Sequence, residues 1–162
     1  EEDKTRPMGR NASGVRGITL GGPNDEVIGM VAVSDSETEI LVVSENGYGK
    51  RSSLEDYRTT NRGGKGVKTL SITEKTGDLV SIKNVSDLDD LMIINKSGIA
   101  IRMDVADLRV MGRATQGVKL INLKGSDTIA AVAKVMKDDE EIPEITEGEE
   151  LPTTETEDTN NE

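Results

Sequence analysis

The sequence predicts an all-β fold of repeated, four-stranded, propeller-like units. Three observations predict it. First, the chain repeats itself. Segments 8–16 (MGRNASGVR), 60–68 (TNRGGKGVK) and 111–119 (MGRATQGVK) share the pattern x-x-Arg-x-x-x-Gly-Val-(Arg/Lys), with arginines at 10, 62 and 113, spaced 52 and 51 residues apart. Two further markers keep the spacing. ILVVSENGYGKR (40–51) aligns with LMIINKSGIAIR (91–102), and VIGMVAV (27–33) aligns with LVSIKNV (79–85) and IAAVAKV (129–135). Second, the apolar runs are short, rich in β-branched residues and bounded by Gly, Asn and Asp, as strands are. Third, helical spacing is poor throughout. A fixed period of this size signals a repeat architecture, in which each unit buries its apolar face against its neighbours.

Within one period, GVRGITL (14–20) predicts a short strand and EVIGMVAV (26–33) a longer one. EILVVSENGYGKRSSL (39–54) predicts a hairpin around Asn46-Gly47, because a two-residue Asn-Gly turn matches the twist of the flanking strands. SLEDYR and DVADLR each have room for a single turn. The expected units are 8–59, 60–110 and a partial one, 111–137. Residues 1–7 read as the end of a preceding unit, since Arg6-Pro7-Met8 aligns with Arg109-Val110-Met111. A ring cut in its middle is therefore expected, and the chain reads as the C-terminal piece of a longer protein.

Composition excludes much chemistry. The 162 residues include no Cys, His, Trp or Phe and only two Tyr, so the core must be aliphatic. Disulfides, thiolate metal sites and Cys nucleophiles are excluded, as are histidine bases and ligands. No apolar run approaches the roughly 20 residues of a membrane helix, and a cytoplasmic location is expected. Catalytic and metal sites are both expected to be none. Tyr57 has no histidine, and its counterpart in the next repeat is Leu108, so packing at a unit's edge is expected of it. Asp89 and Asp90 stand where the previous repeat has Thr38 and Glu39, which argues against a magnesium role. RGGKG lacks the spacing of a phosphate loop.

Charge is unevenly placed. Residues 138–162 carry 12 acids and no base, leaving 19 acids against all 20 bases in 1–137. The acidic tail has too few large apolar residues to offset its ordering entropy and is expected to be disordered. In the body, bases recur at matching positions. The loop opening each unit supplies Arg10, Arg62 and Arg113, and the next strand Arg16, Lys68 and Lys119. The hairpin's second strand supplies Lys50, Arg51 and Arg102, and the link between units Arg6, Arg58 and Arg109. The same cation on every unit implies a positive rim, the footprint of sequence-tolerant contact with DNA phosphates. Few aromatics argue against single strands, which bind by stacking. A propeller-type protein-interaction scaffold stays open as the alternative.

MGRNASGVRGI, VVSENGYGKRSSLEDYR, RGGKGV and MGRATQGVKLI resemble the last three blades of the C-terminal domain of the DNA gyrase A subunit, over roughly residues 5–135. The resemblance implies a partial β-pinwheel, a propeller relative whose blades exchange strands. It implies wrapping of double-stranded DNA on the basic rim within an ATP-dependent, negatively supercoiling type IIA topoisomerase. Implied partners are double-stranded DNA, the rest of the gyrase A protein and the B protein in an A2B2 assembly, with a nucleoid location and no membrane. No cofactor is implied for this stretch, since ATP and Mg would be used by the rest of the holoenzyme. The implied DNA-binding residues are Arg10, Arg16, Lys50, Arg51, Arg58, Arg62, Gly63, Gly64, Lys65, Gly66, Lys68, Arg102, Arg109, Arg113 and Lys119. Arg62 to Gly66 matches the second half of the family's Gln-(Lys/Arg)-Arg-Gly-Gly-(Arg/Lys)-Gly box, but Thr60 and Asn61 depart from it. That departure keeps the related subunit of topoisomerase IV as an alternative.

The tail is a polyanion tethered beside this rim, so it is expected to compete with DNA. Deleting 138–162 should tighten duplex binding at low salt in a fluorescence titration. Unchanged affinity would make it a plain terminus.

Overall fold

The computed structural model describes residues 5–33 and 38–137. The expected disordered tail and the first residues of the expected preceding unit lie outside that range. Among the described residues the fold is all-β. Its strands are β1 (Glu39–Ser44), β2 (Tyr48–Ser53), β3 (Leu79–Val85), β4 (Asp89–Asn95), β5 (Ala100–Asp104), β6 (Val118–Lys119) and β7 (Ile129–Met136). No helix there is long and apolar enough to cross a membrane.

The predicted hairpin forms β1 and β2 in antiparallel register, with Val43 opposite Gly49 and Leu41 opposite Arg51. Gly47 takes φ 80° at the turn, and its N–H donates to the Ser44 carbonyl at 3.1 Å. Only a residue without Cβ adopts that conformation at little cost. SLEDYR becomes a 3-10 turn at Leu54–Asp56, capped by Ser53 Oγ, which accepts from the Glu55 N–H. Its counterpart closes through the Leu108 N–H on the Val105 carbonyl.

Sheets are assembled across repeats. One has the order β3-β1-β2-β6, the other β5-β4-β7. In the first, the hairpin comes from repeat 8–59, β3 from 60–110 and β6 from 111–137. The second repeats this arrangement with β4 and β5 as the hairpin and β7 in the place of β3.

The two sheets enclose the main core of Leu41, Val43, Val85, Leu91, Ile93, Val105, Leu108, Ile129 and Val132. Alternation along β1 sends Leu41 and Val43 into that core, and Ile40 and Val42 into a second one with Leu70. β1 is thus covered on both faces, and its run of four aliphatics reads as a buried strand. Each such side chain contributes about 1.5–3 kcal/mol on burial. Tyr57 packs against the second core with its hydroxyl 2.5 Å from Thr69 Oγ1.

Three expected strands, 14–20, its counterpart carrying Lys68 and 26–33, are not strands here. Apart from Val31, which packs against the second core, the segment 26–33 is exposed, with Met30 90% and Val27 65% accessible. The reason is register. β3 pairs with β1 of the hairpin one repeat earlier, Ile82 opposite Val42. Carried back by the same period, that register gives 26–33 no partner among the described residues. A strand needs a paired neighbour for its backbone groups, whatever its side-chain pattern. The same shift explains why β5 has no outer neighbour among the described residues. Its counterpart β2 pairs with β6 at Tyr48–Lys119 and Gly49–Val118, and no described segment stands in that relation to β5.

A candidate nucleic-acid interface

The loops that open the repeats lie against one another in sequence order. The Gly63 N–H donates to the Gly17 carbonyl at 2.7 Å, and the Thr19 N–H to the Gly64 carbonyl at 2.9 Å. Thr19 Oγ1 adds a bond to the Gly63 carbonyl at 2.6 Å. One repeat later the contact recurs, with the Ser71 N–H on the Thr115 carbonyl at 3.1 Å. In all three repeats the glycine of Gly-Val-(Arg/Lys) has positive φ, at Gly14, Gly66 and Gly117. The backbone reverses at the same point each time, so each repeat presents its loop in the same way.

Among the expected residues, Arg10, Arg16, Arg58, Arg62, Lys65, Lys68, Arg102, Arg109 and Lys119 are exposed, as are Gly64 and Gly66. Gly63 is half-buried, and a methyl group built on it would lie 3.6 Å from the Arg16 carbonyl. The loop 62–66 therefore sits directly beside Arg16. Arg113 is half-buried and turned along the backbone. Its Nε donates to the Asp56 carbonyl at 3.1 Å and its Nη1 to the Lys68 carbonyl.

Lys50 and Arg51 depart from the expected rim. Lys50 is 1% exposed and Arg51 7%. Arg51 Nη1 meets Glu39 Oε2 at 2.9 Å and also Asp87, while Nε donates to the Leu108 carbonyl. These partners hold Arg51 inside. Arg102, its counterpart, makes the matching pair with Asp90 at 2.5 Å but keeps half its side chain in solvent. The difference follows from the sheets, because β5 is an edge strand and β2 is not. Asp89 accepts from the Ser86 N–H and hydroxyl, so both acids at the start of β4 are held by internal donors.

Lys50 Nζ donates to the Gly112 carbonyl at 2.5 Å and to that of Arg113. Burial pushes its pKa below the ordinary lysine value; Asp56 opposes the shift and Arg113 adds to it. Position alone did not reveal these two interior cations, nor the part of Thr19 in joining successive loops. Among the described residues no group of three or more acids stands close enough to hold a metal.

Comparison with known proteins agrees with this architecture. The family model of the DNA gyrase C-terminal domain, a β-propeller, matches residues 6–34, 38–86 and 89–136. The DNA gyrase A subunit of Staphylococcus aureus (strain NCTC 8325 / PS 47) is 51% identical over 158 residues, 97% of this chain and 18% of that protein. Its equivalent from strain MRSA252 is 52% identical over 141 residues, 86% of this chain and 16% of that protein. The chain thus spans less than a fifth of the relatives it matches. A solved DNA gyrase A C-terminal domain superposes with a TM-score of 0.74 at 27% identity, over 82% of this chain and 45% of that one. The C-terminal domain of DNA topoisomerase IV gives 0.77 at 20% identity, over 84% and 42%, a likeness of fold alone.

Proposed function

The chain belongs to the family of DNA gyrase C-terminal β-propeller domains, and from that premise we propose that it binds and wraps double-stranded DNA on the rim of its opening loops. The observation that carries this reading is the repeated interlock of those loops, Thr19 on Gly64 and Ser71 on Thr115. That interlock sets successive loops side by side, and on this reading their exposed cations, Arg16, Arg62, Lys65, Lys68, Arg109 and Lys119, make up a row. A duplex presents phosphates at regular intervals, and such a row meets them without reading bases. Glycines 64 and 66 leave the backbone open to close approach.

In the whole protein the domain would act as the wrapping arm of the gyrase A protein. It would work with the rest of that protein, with the B protein in an A2B2 assembly, and beside the nucleoid. ATP and Mg would be used there and not by this stretch, for which no acid–base or nucleophile set is expected.

The test is salt dependence. Replacing Arg62 and Lys65 together by Ala is expected to flatten the slope of log K against log salt by about two units, at roughly 0.9 per phosphate contact. An unchanged slope would remove both from the interface. A protein-interaction scaffold would show negligible duplex affinity even at low salt.

A further inference from the structure

Lys50 sits at the crossing of three repeats. It lies on β2, and its ammonium holds the carbonyls of Gly112 and Arg113, 62 and 63 residues away. The same loop is held to the next residue of β2, because the Met111 N–H donates to the Arg51 carbonyl at 2.8 Å. Arg113 then passes the connection on to the Lys68 and Asp56 carbonyls. One buried cation is thus followed by a chain of donors running through the hairpin, the second opening strand and the third opening loop. A buried ammonium is costly unless its donors are satisfied, and here two carbonyls take two of its three N–H groups. The matching position of the second hairpin is Ile101, on the edge strand β5.

We infer that Lys50 is a positioning residue of the rim. It neutralises no phosphate itself; it fixes loop 109–115, and through Arg113 the Lys68 backbone, so that Lys68 and Arg109 stand at a set spacing. This rests on the duplex-binding reading above. A direct contact and a clamp differ in what their loss does. Loss of a contact removes one released counterion, whereas loss of a clamp misplaces contacts that remain charged.

The experiment compares the full chain with Lys50→Met and Lys50→Gln. Methionine keeps the unbranched bulk without a donor. Glutamine keeps two N–H donors without the charge. Binding to a mixed-sequence duplex of about 40 bp is followed across salt, since a lost contact lowers the slope by roughly 0.9. Lys50→Met is expected to weaken binding about fivefold to tenfold, of the order of the net worth of one ordinary hydrogen bond, with its slope unchanged. Lys50→Gln is expected to recover most of that affinity. Circular dichroism on both variants checks folding, and if Lys50→Met does not fold, Lys50→Gln alone decides by its slope. A slope lowered by one contact in Lys50→Gln, or full affinity in a folded Lys50→Met, would overturn the inference. Amide exchange separates this from failure of the DNA reading. If wild type does not bind duplex, faster exchange at Met111 and Thr115 in Lys50→Met still supports the clamp, and unchanged exchange still overturns it.

Discussion

Gly117→Ala is expected to destabilise the chain by about 3 kcal/mol or more, from two additive causes. Gly117 has φ 80°, where a Cβ costs about 1–2 kcal/mol. A methyl group there would also lie 2.5 Å from the Gly49 carbonyl oxygen and 3.0 Å from its carbon. Those atoms are backbone in β2 and can move only by disturbing its pairing, an overpacking cost of roughly 1–3 kcal/mol. Two controls separate the causes. Gly125 has φ 60° with open space around it, and Gly112 has neither a positive φ nor a neighbour within 4 Å. Gly125→Ala should cost about 1 kcal/mol, and Gly112→Ala should fall within about 0.5 kcal/mol of neutral. Thermal melts check the order, with about 3 °C expected per kcal/mol at this size. Equal melting points for the Gly117 and Gly125 variants would remove the clash from the account.

The second large effect concerns Arg51. Arg51→Met is expected to cost about 3 kcal/mol, because it leaves the Glu39 carboxylate without its buried counter-ion and the Leu108 carbonyl without its donor. Restoring neutrality should recover part of the loss, so Arg51→Met combined with Glu39→Gln should be more stable than Arg51→Met alone. Denaturant titrations measure both. A duplex contact would behave differently, with stability kept and only the salt slope lowered. That outcome would return Arg51 to the rim, against the burial described above.

What could be read from the sequence was what local pattern decides. The β1–β2 hairpin was legible because Asn46-Gly47 and the flanking aliphatics are adjacent in the chain. The period was legible because each repeat restates the same turn glycine before Val. Pairing across repeats was harder to read. Val118 and Lys119 read as a strand, but nothing in their spacing names Tyr48 and Gly49 as partners. Residues 26–33 read as a strand on equally good grounds and are not one, because pairing is a property of two segments. Lys65 and Arg109 stood exposed on their loops. Lys50 and Arg51 did not, since a cation on a strand shows its charge in the sequence but not the carbonyls and carboxylates that wait for it. Glu39, 12 residues before Arg51, and its counterpart Asp90 before Arg102, were the available signal.

The borrowing of β6 has a consequence in time. The outer edge of β2 is finished only by residues some seventy positions further along, which at about 5–20 residues per second leaves it bare for several seconds during synthesis. A bare edge is a template for any passing strand. β6 offers only two residues to close it, and closure over so long a separation is intrinsically slow. The last step of folding should therefore be the seating of Val118 and Lys119. The Leu120 N–H, bonded to the Gly47 carbonyl just beyond that seam, should be among the last amides to gain protection and the first to lose it.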